Sequence, residues 1–320
     1  MTTPAISVVI PTRDRAELLR ASLRSLVDQD LGPDDFEVVV VDDGSTDHTA
    51  EVCASVAGEI RLVTHRIDPS GISAAKNLGI FLAAAPIVLF FDDDDVAAPD
   101  LLSQHLRCHR ANPERTVAVL GHTTWAPHLH VTELMYWATE VGKMLFDYTC
   151  VTDGQVLDHT FFWGGRASCK RMLLASEGIF NPELRFGCED IELGYRLSRH
   201  GFKVVYNAAA RSFMNRSITF DEFSRRCERQ GRSQHHFGGV LHGSDPSVRR
   251  YCAVDGAVEQ WAEAAPHLAA QTRRVAELEI LVATEGHPMR GAWRAELFGL
   301  YTDVFQALRL RGVALAAEGR

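Results

Sequence analysis

The order of apolar and amphipathic segments predicts an α/β protein with a mostly parallel central sheet and helices on both faces. Four apolar runs, rich in Val and Ile, alternate with segments of helical periodicity. The runs are nearly continuously apolar, which is typical of parallel strands covered on both faces. We place these strands at residues 6–10, 36–41, 60–64 and 87–91.

The intervening segments carry the signals of helices. Asp14 to Glu17 resembles a capping box, and a stripe of Leu and Val follows it. The pattern becomes less regular from about residue 117, and Ala, Leu, Arg and Glu dominate beyond about residue 243. The stripe from Val275 to Val282 indicates helix packing or a dimer contact. The remaining predicted elements are helices at 44–57, 73–84, 133–146 and 190–200, and a strand at 117–120.

Composition excludes several classes of function. The net charge of the 320-residue chain is −9, and no basic run suggests a nucleic-acid partner. Seven scattered cysteines fit a reducing cytoplasm better than a disulfide framework. No signal peptide is expected before the first strand. The longest apolar run, 80–91, contains Pro86 and is too short to span a bilayer, although peripheral contact with a membrane through the C-terminal part stays open.

Polar side chains follow three of the predicted strands, at the edge where parallel sheets bind ligands. They are residues 11–14, 42–45 and 92–95. No glycine-rich fingerprint follows the first strand, which argues against a dinucleotide-binding domain and against a sugar nucleotidyltransferase.

Asp92 to Asp95 form a cluster of four carboxylates after a buried strand. Their mutual repulsion requires compensation, and hard divalent cations prefer carboxylate oxygens. In extended geometry Asp92 and Asp94 point to one side, where they could hold Mn²⁺ or Mg²⁺ and, through it, two phosphates. A solvated acidic turn before Pro99 would explain one aspartate but not four. The same residues resemble the motif of haloacid-dehalogenase-type phosphatases, with Asp92 as nucleophile, but three strand–helix units precede them here.

Five segments in order resemble the family 2 glycosyltransferases of the GT-A fold. They are residues 8–15, 41–47, 71–79 and 91–95, and residues 164–171 followed by 188–197. The resemblance covers about residues 5–235. It implies a GT-A domain at 1–235, with a nucleotide-binding half (1–120) and an acceptor and catalytic half (121–235), and leaves 236–320 as a helical extension.

The resemblance also implies an inverting transfer of one sugar from a nucleoside-diphosphate sugar, with UDP as the default, in a metal-dependent reaction. The Gln-x-x-Arg-Trp motif of processive synthases is absent. Asp190 is expected to be the base, with Glu189 as its neighbour. The other implied roles are nucleobase contact for Thr12 and Asp43 in a pocket shaped by Pro11 and Arg13, phosphate binding for Lys76, metal ligation by Asp94, and support of the metal, ribose or donor sugar by Asp92 and Asp93.

The base has a physical case of its own. A carboxylate must take the acceptor's proton while a metal stabilises the departing diphosphate, so base and metal should lie on opposite sides of the reacting carbon. Without the resemblance, Glu189 and Asp190 would be interpreted as an acidic pair at a helix N-terminus.

Some positions depart from the family pattern. Arg166 stands where the family often has Asn, and could meet an anionic acceptor or the diphosphate, or form a salt bridge. Residues 210–214 lack the histidine that many members use, and His235 and His236 could substitute for it. The run 161–163 could stack on a sugar or belong to the core. The predicted acceptor or donor-sugar pocket comprises Trp163, Gly164, Gly165, Arg166, His235 and His236.

The acceptor is not identified by the sequence; a small molecule, a glycan and a lipid-linked sugar all fit. A homodimer through the C-terminal helices is also compatible with it. Besides the phosphatase, a non-catalytic nucleotide-sugar-binding protein remains an alternative, which would bind without turnover.

Overall fold

A computed structural model describes residues 3–319 of the protein, which divide into two compact units. The first contains the chain up to residue 129 and residues 150–216. The second contains residues 130–149 and the chain from residue 217. This differs from the predicted division at residue 235, because helix 220–235 and segment 130–149 pack with the C-terminal helices.

The first unit is built on a nine-stranded sheet. Its strands are β1 (Ile6–Thr12), β2 (Phe36–Asp42), β3 (Leu62–Arg66), β4 (Ile87–Phe90), β5 (Asp95–Ala97), β6 (Val117–Trp125), β7 (Val156–Leu157), β8 (Ala167–Lys170) and β9 (Lys203–Met214). The helices of the whole described chain are α1 (Ala16–Val27), α2 (Thr49–Val56), α3 (Ile72–Leu82), α4 (Leu101–Ala111), α5 (Glu133–Tyr136), α6 (Arg171–Glu177), α7 (Glu189–Ser198), α8 (Phe220–His235), α9 (Pro246–Tyr251), α10 (Ala257–Val282) and α11 (Arg290–Ala317).

The strand order is β3-β2-β1-β4-β8-β6-β9-β5, with β7 paired to β9. The four strands predicted from the apolar runs, β1 to β4, pair in parallel. Beyond β4 the sheet is mixed, because β8 is antiparallel to both β4 and β6, whereas β6 and β9 are parallel. The α/β prediction is confirmed: the N-terminal half of the sheet is parallel throughout, and the rest of it is mixed.

Alternating residues of β1 bury both faces of the sheet, as predicted. Val8 and Ile10 share a core cluster with Leu19 of α1. Val9 faces α3, where a Cβ at Gly79 would overlap its side chain. The close approach of α3 therefore requires glycine at this position.

The predicted capping box at α1 is wrong. The N-cap residue is Arg15, and its side chain forms no capping hydrogen bond. Asp14 instead has a left-handed backbone (φ +50°), and its carboxylate accepts a hydrogen bond from Thr46 N at 2.7 Å. Asp47 Oδ2 accepts from Ala16 N at 2.9 Å. Contacts with the loop after β2 thus replace the local cap.

The second unit is helical. Trp137 lies in a π-helical turn (137–141) after α5 and packs its ring against Phe223, Tyr301 and Phe305. Glycines permit close contact of α8 and α11, since a Cβ at Gly312 would overlap the carbonyl oxygen of Glu228. The stripe on α10 is buried within this unit at Val275, Leu278 and Val282.

Among residues 3–319, no helix is both long and apolar enough to cross a membrane.

Candidate active site

The acidic cluster lies between two strands of the first unit. Asp92 to Asp94 connect β4 to β5, and Asp95 is the first residue of β5. Because β4 pairs with β1, the cluster lies beside Thr12 at the carboxyl end of β1. Thr12 Oγ1 donates a hydrogen bond to Asp93 Oδ2 at 2.8 Å. The structure therefore brings together two of the sequence-predicted segments.

Asp93 and Asp94 are both buried and both contact Arg15, at the start of α1. Arg15 Nη1 lies 2.9 Å from Asp93 Oδ1 and 3.3 Å from Asp94 Oδ2. Burial raises the pKa of Asp93 to about 6 despite this partner. Burial also opposes ionisation of Asp94, but Arg15 and Arg216 outweigh it and lower the pKa of that carboxyl. Asp94 is accordingly held as a carboxylate.

Arg216 is a site residue that the sequence analysis missed. Its Nε donates to Asp94 Oδ2 at 2.9 Å. The antiparallel pairing of β5 with β9 matches Asp95 with Met214, and Asn215 N donates to Asp94 O at 2.7 Å. Residues 210–214 lack the histidine of the family pattern, and the charged side chain at this edge is an arginine two residues beyond β9. No local pattern in the sequence indicates Arg216, because it becomes a neighbour of Asp94 only through the pairing of β5 with β9.

Arg166 makes ion pairs with the other two aspartates. Its Nη2 lies 3.4 Å from Asp92 Oδ2 and 3.7 Å from Asp95 Oδ2. Asp95 is fully buried and also accepts a hydrogen bond from Ser212 Oγ at 2.9 Å. Burial raises the pKa of Asp95 to about 7. Of the roles left open for Arg166, the salt bridge is the one present here.

The two adjacent glycines contact both the expected base and the acidic cluster. Gly164 N donates to Asp190 Oδ2 at 2.8 Å, and a Cβ on Gly164 would lie 2.7 Å from Lys76 Nζ. On the next residue, a Cβ at Gly165 would overlap the carboxylate of Asp92. Asp190 and Asp92 thus pack against successive residues of one short strip of backbone.

Asp190 occupies the first turn of α7 and is partly exposed. Burial, and secondly the charge of Glu189, raise the pKa of Asp190 to about 6, although Lys76 opposes them. Cys188, which precedes the helix, has a left-handed backbone with φ +63°. Strained residues of this kind concentrate at functional sites. A carboxyl with this pKa is suited to accept a proton near neutral pH.

Lys76 lies in the first half of α3, as expected, and its side chain has an acidic partner. Its ammonium is buried and lies 2.9 Å from Glu189 Oε1, so in this structure it forms an ion pair. Burial alone would lower the pKa of Lys76, but the charges of Glu189, Asp190 and Asp92 raise it. Phosphate binding by Lys76 stays a prediction.

The residues expected to bind the nucleobase lie near one another. Asp43 Oδ1 accepts hydrogen bonds from Ser70 N (2.6 Å) and Gly71 N (3.2 Å), so this carboxylate orders the loop before α3. Arg13 is half-exposed, with Nη1 4.0 Å from Asp43 Oδ2. Pro11 is partly exposed in β1. Their contact with a nucleobase stays a prediction.

The pocket residues are divided between the units. Trp163 is partly exposed, stacks on Phe161 with ring centroids 5.6 Å apart, and donates from Nε1 to Thr160 O. It directly precedes the glycine pair of the first unit. His235 and His236 belong to the second unit, at the end of α8 and the π-helical turn that follows. Their part in the pocket stays a prediction.

Residues 3–319 contain no group of three or more His, Cys, Asp or Glu side chains arranged to hold a metal. The contacts found for Asp94 all end on Oδ2, and Asp92 contacts Arg166 through Oδ2 alone. Each carboxylate therefore keeps an oxygen for a further ligand. Two such carboxylates suit a cation whose remaining ligands come from a bound anion.

Comparison with known proteins finds similarity to glycosyltransferases. Residues 7–152 match the model of Glycosyl transferase family 2. The chain is 34% identical over 225 residues to the validoxylamine A glucosyltransferase of Streptomyces hygroscopicus subsp. limoneus. The aligned region covers 63% of this chain and 49% of that protein. The chain thus spans about half the length of the curated relatives it matches first.

Two solved structures share the fold. The mannosyltransferase PcManGT of Pyrobaculum calidifontis, in complex with GDP-Man and Mn²⁺, has a TM-score of 0.62 and 21% identity, over 100% of this chain and 89% of that one. S. aureus TarS 1-349, in complex with UDP, has a TM-score of 0.55 and 16% identity, over 99% and 92% of the two chains. The first unit accordingly has the GT-A fold.

Proposed function

Because residues 7–152 match the model of Glycosyl transferase family 2, we propose that this chain is an inverting glycosyltransferase that moves one sugar from a nucleoside-diphosphate sugar to an acceptor hydroxyl. The observation that carries the proposal is the packing of Asp190 and Asp92 against the adjacent glycines 164 and 165. A base and an acidic cluster that pack against successive residues of one backbone strip are close enough to serve the acceptor and the diphosphate of a single donor.

The proposed reaction uses Asp190 as its base. The acceptor oxygen attacks the anomeric carbon, its proton passes to Asp190, and the bond from that carbon to the diphosphate oxygen breaks, with the electron pair leaving on the nucleoside diphosphate. The hydrogen bond from Gly164 N fixes the orientation of the Asp190 carboxylate. Inversion follows, since attack and departure occur on opposite faces of the carbon.

A divalent cation fits the acidic cluster when the donor supplies part of its ligands. Asp92 and Asp94 would hold it through the oxygens that their arginine partners leave available. Mn²⁺ or Mg²⁺ would stabilise negative charge on the departing diphosphate. Asp93, whose two oxygens accept from Thr12 and Arg15, would contribute indirectly by supporting Thr12.

The donor and acceptor are proposed by similarity. One relative is named as a glucosyltransferase of validoxylamine A, and the solved structures contain UDP or GDP-Man. UDP-glucose is therefore the first donor to test, followed by GDP-mannose. Validoxylamine A is the first acceptor to test among small molecules.

The test is thermal stabilisation by UDP, GDP, dTDP and CDP, each with and without Mn²⁺, because a ligand that binds the folded state raises Tm. Asp94→Asn and Asp190→Asn are compared with the wild type. We expect one nucleotide to raise Tm with metal, Asp94→Asn to lose this shift, and Asp190→Asn to keep it while losing sugar transfer.

The alternatives give different results. A nucleotide-sugar-binding protein would show the Tm shift but no turnover with any donor. A phosphatase would release phosphate from sugar phosphates with Asp92 as nucleophile and would show no nucleotide effect. A rise in Tm with phosphate mimics, without any change in Tm with nucleotides, would refute the transferase proposal.

A further inference from the structure

Three guanidinium groups surround the four carboxylates of the acidic cluster. Arg15 bridges Asp93 and Asp94, Arg216 adds a second contact to Asp94, and Arg166 bridges Asp92 and Asp95. We call Arg15 and Arg216, which share Asp94 Oδ2, the arginine clamp. The carboxylate expected to be the main cation ligand is therefore held by two positive side chains.

The fold fixes both arginines of the clamp. Arg216 follows β9, whose pairing with β5 and whose hydrogen bond from Asn215 N to Asp94 O hold it beside Asp94. Arg15 is the N-cap residue of α1, in a turn anchored by Asp14, which bonds to Thr46. The two side chains are exposed by 41% and 27%, so a ligand can reach them from solvent.

Charge counting shows what the clamp does to a cation. With all groups ionised, the cluster of four carboxylates and three guanidiniums has a net charge of −1. A divalent cation alone would make it positive and place that cation against two guanidiniums on Asp94. A cation that arrives with the two negative charges of a nucleotide-sugar diphosphate leaves the net charge of the cluster unchanged, and the anion offers the arginines a new partner.

We propose that the arginine clamp opposes cation binding in the absence of a donor, and that Arg15 and Arg216 transfer to the diphosphate when the donor binds. This inference rests on the proposed function and deepens it. The clamp makes cation and nucleotide binding mutually dependent, so neither Mn²⁺ alone nor nucleotide alone occupies the site well. Its arginines are positioning residues for Asp94 before donor binding and diphosphate ligands afterwards.

The experiment is a calorimetric titration of the full chain with Mn²⁺ alone, then with UDP (or the nucleotide that raises Tm) in excess Mn²⁺. The variants are Arg15→Gln and Arg216→Gln, which remove one positive charge each. Arg216→Lys keeps the charge, and Arg20→Gln removes an exposed arginine one turn further along α1 that pairs with Glu17. Melting curves of each variant confirm folding.

We expect Mn²⁺ alone to bind both glutamine variants about tenfold more tightly than the wild type, since a charge adjacent to the cation has been removed. Nucleotide binding in Mn²⁺ should weaken about tenfold in the same variants. Arg20→Gln should match the wild type in both titrations, and Arg216→Lys should stay near it for Mn²⁺ alone.

The clamp is refuted if Mn²⁺ alone binds both glutamine variants no more tightly than the wild type. It is also refuted if the wild type binds Mn²⁺ alone as tightly as it does with nucleotide present. Failure of the proposed function has a different signature, in which no nucleoside diphosphate binds the wild type under any condition. The titrations with Mn²⁺ alone remain decisive for cation exclusion in that case.

Discussion

Lys76 Nζ lies 2.9 Å from Glu189 Oε1, and less than a tenth of either side chain is exposed. This ion pair joins α3 to α7. It lies close to Asp190, because Gly164 packs against Lys76 Nζ and donates a hydrogen bond to the Asp190 carboxylate. A buried pair of this kind is costly to break on one side, because the remaining charge loses its partner in a poorly solvated position. It therefore affects both the stability of the first unit and the base.

Removal of one partner should destabilise the protein strongly. We expect Lys76→Met to lower the free energy of unfolding by about 3–5 kcal/mol, measured by urea denaturation. Lys76→Met combined with Glu189→Gln should cost less than the sum of the single changes. The exposed pair Arg20–Glu17 is the control, where Arg20→Gln should change stability far less because solvent screens the pair. A small loss for Lys76→Met would mean that the ammonium is solvated.

The pKa of Asp190 sets the acid limit of activity. The carboxyl must be ionised to accept a proton, and its pKa is raised to about 6. We expect kcat/KM to fall tenfold per pH unit below about pH 6 and to be constant above it. If kcat/KM instead began to fall only near pH 4, the ordinary pKa of an aspartate, the result would contradict the buried environment of the base.

Glu189 should tune that limit. Its negative charge is a cause of the raised pKa of Asp190, and its removal also leaves the Lys76 ammonium acting on the base. Glu189→Gln should therefore shift the acid limb of kcat/KM to lower pH. The comparison is made on protein shown to be folded by its melting curve. A shift to higher pH, or none, would show that Glu189 does not act on Asp190 electrostatically.

The glycine at position 165 should be essential for donor binding. A Cβ there would overlap the carboxylate of Asp92, and Gly165 O accepts a hydrogen bond from Asp92 N. Gly165→Ala should displace Asp92 and abolish the metal-dependent Tm shift caused by nucleotide. Gly299→Ala, where the added carbon meets nothing outside its own helix backbone within 4 Å, is the control and should keep the full shift. If the metal-dependent Tm shift is unchanged in Gly165→Ala, Asp92 is not a ligand of the cation.

The contact of α8 with α11 gives a separate test of the second unit. A Cβ at Gly312 would overlap the carbonyl oxygen of Glu228, so Gly312→Ala should lower the free energy of unfolding by about 1–3 kcal/mol. Gly299→Ala on the same helix should raise it by up to about 1 kcal/mol through helix propensity. Equal effects at the two positions would contradict the close contact.

The sequence alone predicted the elements and the edge of the sheet that carries the site. Continuous apolar runs and helical stripes are local patterns, and they located β1 to β4 within two residues at each end. Ordered motifs identified the acidic cluster, the glycine pair and Asp190. These signals lie within short stretches of chain, where backbone periodicity constrains them.

Tertiary structure decided which charges meet. Arg216 and Asp94 are 122 positions apart, and only the pairing of β5 with β9 makes them neighbours. The capping box failed at Asp14 for the same reason, since a loop 32 positions away supplied a better partner. Periodicity specifies which residues a strand or helix buries, but the register between distant strands depends on packing of the whole sheet. The partners of Lys76, Arg166 and the acidic cluster were therefore fixed by the fold and not by their neighbours in sequence.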